Sequence, residues 1–470
     1  MREGRKRVSR GVDEWSPGSW RRRPALQQPE YADPRALAEA LKELRGDPPL
    51  VFSGEIERLK ERIAQAGMGK GFILQGGYCA ERFADCRAEV IANQLRVLLQ
   101  MSVILTHGAR QPVIRIGRIA GQYAKPRSSP VEEVKGKELP SYRGDSVNAI
   151  SAEEGARRPD PRRLVQAYER AALTLNYIRA MIDGGFADLH DPYKWNLRAI
   201  ERSREWPEYR ETVEQILDAI HFMESFGGVQ PERLGRVEFY ISHEGLLLPY
   251  EEALTRRDPE LRRYYNVGAH MLWIGNRTRG LDGAHVEYFR GIGNPIGVKV
   301  DAGCGGEELV ALVRRLNPGN EAGRVCVITR LGRGRATDVL PGLVRAVQRA
   351  GLLVTWCCDP MHGNTRVVGG RKTRAFGDIL AEVRETFLTH VRLGSRLAGV
   401  HFELTGEDVT ECTGGAVGVT RADLSRNYQS YCDPRLNSAQ SLEMAFLLTK
   451  LLREHTARGQ KGRVGEGVSG

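Results

Sequence analysis

The amino-acid sequence predicts an α/β protein that folds as a (β/α)8 TIM barrel. Short apolar runs, typical of buried strands, alternate with amphipathic helical segments along most of the 470 residues, as in repeated strand–helix units. There are eight such runs, the number of strands that closes a parallel barrel. The predicted strands are 72–76, 113–118, 237–242, 271–275, 297–301, 325–330, 353–358 and 399–403.

Helices are predicted between several of these strands. The clearest covers 161–182, where apolar residues recur at helical spacing: Leu164, Tyr168, Ala171, Leu175, Ile178 and Ile182. Shorter helices are expected at 309–316 and 340–350. The connection between strands two and three is longer than one helix requires, so extra helices, including 210–226, are expected to decorate the barrel there.

The composition divides the chain into three regions. Residues 1–50 are rich in arginine and proline and are predicted to form an N-terminal extension with one helix near 34–44. Residues 51–456 are predicted to form the barrel, with the helical insertion at about 150–235. The glycine-containing segment 457–470 is predicted to be a disordered tail.

The composition also excludes several classes of protein. No run of eighteen apolar residues occurs, so no membrane span is expected. The basic N-terminus has no apolar segment after it, unlike a secretory signal. The eight cysteines lack regular spacing and include the adjacent pair Cys357 and Cys358, which argues against a disulfide framework and favours the cytoplasm. The net charge of +11 accompanies no nucleic-acid-binding motif, so no nucleic-acid partner is expected.

Four separate segments each contain a residue type that binds divalent transition metals. The candidate ligands are Cys79, His362, Glu403 and Asp433. One thiol, one imidazole and two carboxylates make a mixed S/N/O set, which suits Mn, Fe, Co or Zn and does not suit Ca or Mg. Cys79, His362 and Glu403 lie at or just after predicted strand ends, where barrels assemble their sites.

Cationic residues gather at the same ends of the predicted strands. Those on or directly after the strands are Arg118, Arg277, Lys299 and Arg330. Because a buried cation without a partner is costly, these side chains are expected to face anions. Glu238 and Glu244 lie on or just after strand three, at an even spacing that favours one face of the strand.

A loop after strand two has the composition of a phosphate clamp. Residues 121–128, Gly-Gln-Tyr-Ala-Lys-Pro-Arg-Ser, carry Lys125, Arg127 and Ser128 within four positions. Arginine presents a planar fork to phosphate oxygens, and lysine supplies a point charge. Together with the cations at other strand ends, this loop predicts two bound phosphate groups.

Some candidates have a simpler structural interpretation. A single cysteine such as Cys79 at a strand end is more often a small core residue than a ligand. His401, two residues before Glu403, favours a structural role. Glu81 and Glu407 are compatible with helix-capping carboxylates.

The same segments resemble a known family. From Ser19 to about Leu452 the chain resembles the type II 3-deoxy-D-arabino-heptulosonate 7-phosphate (DAHP) synthases, the first enzymes of the shikimate pathway. The segments that carry the resemblance are 120–128 (AGQYAKPRS), 141–148 (SYRGDSVN), 185–196 (GFADLHDPYKWN), 242–251, 294–300 (NPIGVKV), 359–365 (DPMHGNT), 401–415 and 432–437. They are long and specific to that family.

The resemblance implies condensation of phosphoenolpyruvate with erythrose 4-phosphate. It implies a divalent metal, Mn2+ or Co2+ in the first place and Zn2+ or Fe2+ as alternatives, held by Cys79, His362, Glu403 and Asp433. The positions that match phosphoenolpyruvate-binding residues are Arg118, Lys299, Arg330 and Glu238. The positions near the sugar phosphate are Lys125, Arg127, Ser128, Arg277 and Lys372.

The resemblance also suggests catalytic roles and partners. Lys125 would protonate the nascent alkoxide, and Glu238 or Glu244 would orient the attacking water. A homo-oligomer, either a dimer or a tetramer, is expected, and a chorismate mutase is a candidate partner enzyme.

Three positions depart from the usual family pattern. Tyr78 stands where aspartate is usual, Asn276 where glutamate is usual, and Asn427 where arginine is usual. The first two are expected to lie beside the metal and substrate positions. Alternative functions are therefore an aminoDAHP synthase that uses an amino (imino) analogue of erythrose 4-phosphate, a metal-dependent hydrolase, and a non-catalytic regulatory paralogue.

Overall fold

The computed structural model describes residues 14–134, 136–184, 201, 206–227 and 237–465. Its centre is a closed barrel of parallel strands. In chain order these are β1 (Phe72–Gly77), β2 (Val113–Arg118), β3 (Phe239–Glu244), β4 (Met271–Ile274), β5 (Ile296–Val300), β6 (Val325–Thr329), β7 (Thr355–Cys358) and β8 (Leu397–Glu403). They pair around the barrel in the order β1-β8-β7-β6-β5-β4-β3-β2. The predicted (β/α)8 fold is confirmed.

Three predicted strands start two residues away from where the structure starts them. β7 begins at Thr355 rather than 353, and β8 begins at Leu397 rather than 399. β3 begins at Phe239 rather than 237, because the first residue pair it forms with β2 is Arg115–Phe239. The shift in β3 matters for function, because it leaves Glu238 just before the strand and makes Glu244 its last residue.

The helices wrap the barrel and close one end of it. They are α1 (Pro34–Gly46), α2 (Ser53–Gly67), α3 (Ala88–Ala109), α4 (Arg162–Asp183), α5 (Trp206–Gly227), α6 (Leu248–Ala253), α7 (Ala284–Phe289), α8 (Gly306–Leu316), α9 (Ala336–Arg349), α10 (Phe376–Arg392) and α11 (Ser438–Gly465). A single turn also lies at Glu154–Arg157. Short hairpins pair Val131–Val134 with Lys137–Pro140, Thr255–Arg257 with Tyr264–Asn266, and Arg366–Val368 with Arg371–Thr373.

The barrel interior is apolar at the end where the strands begin. Ile73, Met271 and Ile328, from three strands, form one buried cluster with Leu59 and Ile63 of α2. α2 therefore closes the amino-terminal end of the barrel. A functional cavity is left to the carboxyl-terminal end, as in other barrels of this type.

The predicted insertion and tail are described in part. α4 and α5 lie within the insertion predicted at about 150–235, and the motif 185–196 lies outside the described residues. α11 continues to Gly465, so residues 457–465 of the tail predicted at 457–470 to be disordered are helical. Residues 466–470 are not described.

α3 is the one helix in the described residues that is long and apolar enough to cross a membrane. Most of this helix is buried: Leu98 and Met101 pack in the same buried cluster as Leu74 of β1 and Met444 and Leu448 of α11. Its apolar composition is explained by contact on two sides, with the barrel and with α11.

Two buried histidines are expected to make folding sensitive to acid. Burial lowers the pKa of His390, on α10, to about 3 and that of His285, on α7, to about 4. The unfolded chain binds a proton at each of these histidines near pH 6.5, whereas the folded protein does not. Their contribution to the free energy of unfolding is therefore fully present above that pH and is lost as the pH falls. Each histidine contributes a slope of up to about 1.4 kcal/mol per pH unit.

The variant His390→Leu tests this expectation. The free energy of unfolding is measured in urea at pH 7.5 and at pH 5. Its decrease between the two pH values should be about 2 kcal/mol smaller in the variant than in the wild type, because one titrating site is removed. An equal loss in both proteins would contradict it.

Candidate active site

A cavity of about 390 Å³ opens at the carboxyl-terminal ends of the strands. It is lined by the predicted site residues Cys79, Arg118, Lys125, Arg127, Ser128, Glu244, Arg277, Lys299, Arg330, His362, Lys372 and Asp433. Glu403 lies fully buried beneath it and contacts His362 and Arg118 of the lining. The structure thus brings together every predicted site residue except Glu238.

The four candidate metal ligands lie together on one side of this cavity. One donor atom each from Cys79, Glu403 and Asp433 lies within 4.8 Å of the other two. His362 Nε2 lies 3.2 Å from Glu403 Oε1. Cys79 follows β1, Glu403 ends β8 and His362 follows β7, and these three strands are neighbours in the barrel. Their convergence therefore follows from the strand order.

Buried charges hold two of these ligands in place. Arg118 Nη2 donates to Glu403 Oε1 at 3.0 Å, and Arg374 Nη1 donates to Glu403 Oε2 at 2.7 Å. Burial opposes ionisation of Glu403, but the neighbouring side chains of His362, Lys125, Arg374 and Arg118 hold its pKa well below the usual range. His362 Nδ1 lies 2.7 Å from Asp359 Oδ2, which orients the ring so that Nε2 faces Glu403. Such outer contacts tune metal ligands in many proteins.

Two lysines reach the same group of acids. Lys125 Nζ lies 2.6 Å from both Cys79 Sγ and Asp433 Oδ2. Lys372 Nζ donates to Asp433 Oδ1 at 2.8 Å. The predicted sugar-phosphate residues Lys125 and Lys372 therefore border the predicted metal ligands directly.

The deeper part of the cavity holds charged atoms with unused hydrogen-bonding capacity. Among the described residues, Arg330 Nε and Glu244 Oε1 are buried without a partner. Lys299 is ion-paired with Asp359, and burial lowers the pKa of Lys299 to about 8. Burial raises the pKa of Glu244, although the neighbouring side chains of Lys125, Lys299, Arg118 and His362 oppose this. Unpaired buried charge is costly, so these atoms are suited to bind a charged ligand.

The loop of residues 119–128 is held from within by Glu81. This buried carboxylate accepts the backbone N–H groups of Ala120, Gly121 and Gln122 at 2.9, 2.9 and 2.6 Å. Ala120 has φ +60° and Gly121 φ +152°, a sharp reversal that points successive N–H groups at one acceptor. Gln122 Oε1 also accepts the N–H of Glu244 at 2.8 Å. The loop is thereby fixed to the ends of β1 and β3.

The far end of the loop carries the predicted phosphate clamp. Arg277 Nη2 donates to Ser128 Oγ at 2.7 Å. The side chain of Arg127 is ion-paired with Glu132, which also accepts from Arg157. Ser128, Arg127 and Arg277 thus form a polar group at the cavity mouth, and Lys372 also lines the cavity.

Comparison with known proteins identifies the family. The model of the class-II DAHP synthetase family matches residues 15–449. The phospho-2-dehydro-3-deoxyheptonate aldolase of Neurospora crassa is 49% identical over 457 residues, which cover 94% of this chain and 95% of the fungal protein. The chain belongs to the class-II DAHP synthetase family. The enzymes of the same name from Streptomyces coelicolor and Mycolicibacterium smegmatis (AroG) are 47% and 44% identical, over 93% and 92% of this chain and 97% and 93% of their own lengths.

One residue predicted for the site is misplaced. Glu238 precedes β3, at the amino-terminal end of the barrel, and is ion-paired with Arg62 of α2 at 3.0 Å. The residues that line the cavity do not include it. The prediction that Glu238 binds substrate or acts in catalysis is therefore wrong. Glu244, six residues later on the same strand, occupies the carboxyl-terminal end instead.

Sequence reasoning about this class-II DAHP synthetase family member missed several supporting residues. Asp359 and Arg374 orient predicted ligands, and Glu81 holds the 119–128 loop rather than capping a helix. His401 is not among the residues that line the cavity; its ring lies 2.5 Å from Arg118 Nη1 and 2.8 Å from Gln75 Oε1. Asp359 lies within a family segment, but no local pattern marks Arg374.

The three departures from the family pattern lie in different surroundings. Asn276 lines the cavity and donates to Asp301 Oδ2 at 2.6 Å. Asn427 donates to the carbonyl of Asp408 at 2.7 Å and does not line the cavity. Tyr78 points away from the cavity into a cluster that includes Ile91 and Leu95. Of the three, Asn276 alone can contact a substrate directly.

The placement of Tyr78 predicts a loss of stability, not a change of specificity, for Tyr78→Asp. The new carboxylate would be buried in a largely apolar cluster. After burial itself, the acids Asp85 and Glu81 raise the pKa of Tyr78, and Arg435 opposes them only in part. The free energy of unfolding should fall by about 2–4 kcal/mol, and the unfolding temperature should fall with it. Tyr78→Phe, which removes a hydroxyl that has no partner in the described structure, should be nearly neutral. A stable Tyr78→Asp variant with altered aldehyde preference would contradict this prediction.

Proposed function

We propose that this protein condenses phosphoenolpyruvate with erythrose 4-phosphate to give DAHP and inorganic phosphate, with a divalent metal. The observation that carries the proposal is one cavity in which a mixed S/N/O donor group lies between two sets of cations. One set, Arg118, Lys299 and Arg330, lies on or directly after the strands. The other, on the loop and at the cavity mouth, comprises Lys125, Arg127, Arg277 and Lys372, with the hydroxyl of Ser128. Family membership and the names of the relatives support the same reaction.

The residues present fit a transition metal. Cys79, Glu403 and Asp433 offer sulfur and oxygen donors within 4.8 Å of one another, and His362 Nε2 adjoins them. This donor mixture suits Mn2+, Co2+, Fe2+ or Zn2+, of which the family resemblance favours Mn2+ or Co2+. When bound, the ion supplies Lewis-acid polarisation of the aldehyde carbonyl.

The side chains of the protein provide the remaining functions. Arg118, Lys299 and Arg330 bind the phosphate and carboxylate of phosphoenolpyruvate, so that its C3 faces the aldehyde carbon at reactive distance. Glu244 Oε1, which is buried and has no partner in the described structure, orients the water that adds at C2. Lys125 Nζ, beside Cys79 and Asp433, donates a proton to the alkoxide. A homo-oligomer and a chorismate mutase partner stay predictions from the family resemblance.

A substrate assay tests the proposal. Purified protein loaded with Mn2+ or Co2+ is incubated with phosphoenolpyruvate, with and without erythrose 4-phosphate, while substrate consumption and phosphate release are followed. The expected result is turnover that requires both substrates. Phosphate release without an aldehyde would indicate a hydrolase, and binding without turnover a regulatory paralogue.

A second aldehyde extends the assay, because Asn276 lines the cavity where glutamate is usual. Amino-erythrose 4-phosphate should be a poorer substrate than erythrose 4-phosphate, as judged from kcat/KM. The reverse order would assign the protein to the aminoDAHP route.

A further inference from the structure

We propose that Gln27 of the N-terminal extension is a positioning residue for the sugar-phosphate end of the cavity, an assignment that rests on the proposed function. Gln27 Oε1 accepts the backbone N–H of Arg127 at 2.9 Å. Arg127 lies directly before Ser128 and two residues after Lys125. A side chain from the extension thus holds the backbone of the loop that carries the phosphate clamp.

A second bond extends this contact to Lys125. Arg143 Nη1 donates to the main-chain carbonyl of Gln27 at 3.2 Å, and the carbonyl of Arg143 accepts the N–H of Lys125 at 2.8 Å. The two oxygens of Gln27 therefore reach the backbone of Arg127 directly and that of Lys125 through Arg143. Both loop cations are fixed to the extension by this network.

The extension itself is anchored on both sides of Gln27. Gln28 Nε2 donates to the carbonyl of Leu246 at 2.8 Å, and Gln28 Oε1 accepts the N–H of Leu248 at 3.0 Å. The carbonyl of Pro24 accepts the N–H of Ala284 at 3.0 Å. These contacts fix the extension to the segments that follow β3 and β4. The position of Gln27, and with it the backbone of the loop, is therefore defined by the barrel.

The backbone of Gln27 adopts an unfavourable conformation in this arrangement. Gln27 has φ +64°, in the left-handed region that residues other than glycine rarely adopt. The turn there lets Gln27 face the 119–128 loop while Gln28 faces the end of β3. The strained conformation is compensated by the hydrogen bonds on either side.

Gln27 and Glu81 hold opposite ends of the same loop. Glu81 binds residues 120–122 from within, whereas Gln27 binds Arg127 from outside. Without Gln27, the backbone N–H of Arg127 would lose its acceptor in the extension. Small displacements of groups that bind a substrate reduce affinity and rate, so the aldehyde phosphate should bind less well while phosphoenolpyruvate, bound by strand residues, is unaffected.

Three variants test the assignment. Gln27→Met keeps the size of the side chain and removes the acceptor, and should raise the KM for erythrose 4-phosphate about 3- to 10-fold, the effect of one neutral hydrogen bond. The KM for phosphoenolpyruvate should not change. Backbone amide exchange in the peptide that contains Arg127 should become faster. Leu26→Ala, at a neighbouring residue that is 57% exposed, should match the wild type in all three measurements.

The third variant and the amide exchange separate this assignment from the proposed function. Gln27→Glu keeps an acceptor oxygen and should restore slow exchange at Arg127. Unchanged exchange in Gln27→Met, or faster exchange with an unchanged KM for erythrose 4-phosphate, would overturn the assignment. If the wild type shows no turnover, the proposed function fails and with it the role in substrate binding, while the exchange data still decide whether Gln27 holds the loop.

Discussion

Replacing His362 with alanine is expected to remove the bound metal and to lower kcat by about a thousandfold or more, since Lewis-acid polarisation is worth several kcal/mol. His362 is the nitrogen donor of the proposed ligand set, and its Nε2 lies 3.2 Å from Glu403 Oε1. Without it, one thiol and two carboxylates are left, a poorer match for Mn2+ or Co2+. Metal content of the purified protein and turnover with both substrates measure the effect.

A histidine elsewhere provides the control for this variant. His107 lies on α3, where its ring contacts Gln215 at 3.3 Å, and His107→Ala should retain both metal and turnover. The unfolding temperature of His362→Ala should stay near that of the metal-stripped wild type, because the ring is only partly buried. A full complement of metal in His362→Ala would exclude His362 from the ligand set.

Glu81→Ala is expected to lower both stability and activity. The carboxylate accepts three backbone N–H groups from Ala120 to Gln122, and each buried donor left unpaired costs about 1–3 kcal/mol. Removal of the acidic side chain also relieves the cost of its burial, so a net loss of about 3 kcal/mol is expected. Because this loop continues to Lys125 and Arg127, kcat/KM for erythrose 4-phosphate should also fall at least tenfold.

Glu81→Gln is the matched variant for this test. It keeps one acceptor oxygen in the same place and should lie between the wild type and Glu81→Ala in both stability and kcat/KM. Urea unfolding and steady-state kinetics give the two measurements. Wild-type stability for Glu81→Ala would show that water or neighbouring groups replace the carboxylate, which would contradict the role assigned to Glu81.

The chemical types of the site residues could be recognised from the sequence because most of them lie at strand ends. Cys79, Glu403 and Arg118 follow or end apolar runs whose length and composition predict strands. In a parallel barrel all strand ends of one kind meet at one rim, so such residues converge whatever the details of packing. The convergence of these residues can therefore be predicted without knowledge of individual contacts.

Glu238 was placed in the site by a pattern that does not fix where a strand begins. Glu238 and Glu244 are six residues apart, so an alternating strand directs both side chains to the same face. Which end of the barrel each occupies depends on where β3 begins, and the structure starts it at Phe239. A shift of two residues preserves the alternation of side chains, so the sequence pattern alone does not detect it.

The sequence by itself determined the (β/α)8 barrel, the identity of the candidate metal ligands and the cationic character of the cavity, because these depend on local periodicity and on residue type. Only the tertiary structure decided that Glu81 and Gln27 hold the 119–128 loop, that Arg374 supports Glu403, and that Tyr78 faces away from the cavity. These contacts join residues that are far apart in the chain or depend on the direction of one side chain. They arise only when the barrel closes and the N-terminal extension folds against it, and no local pattern encodes them.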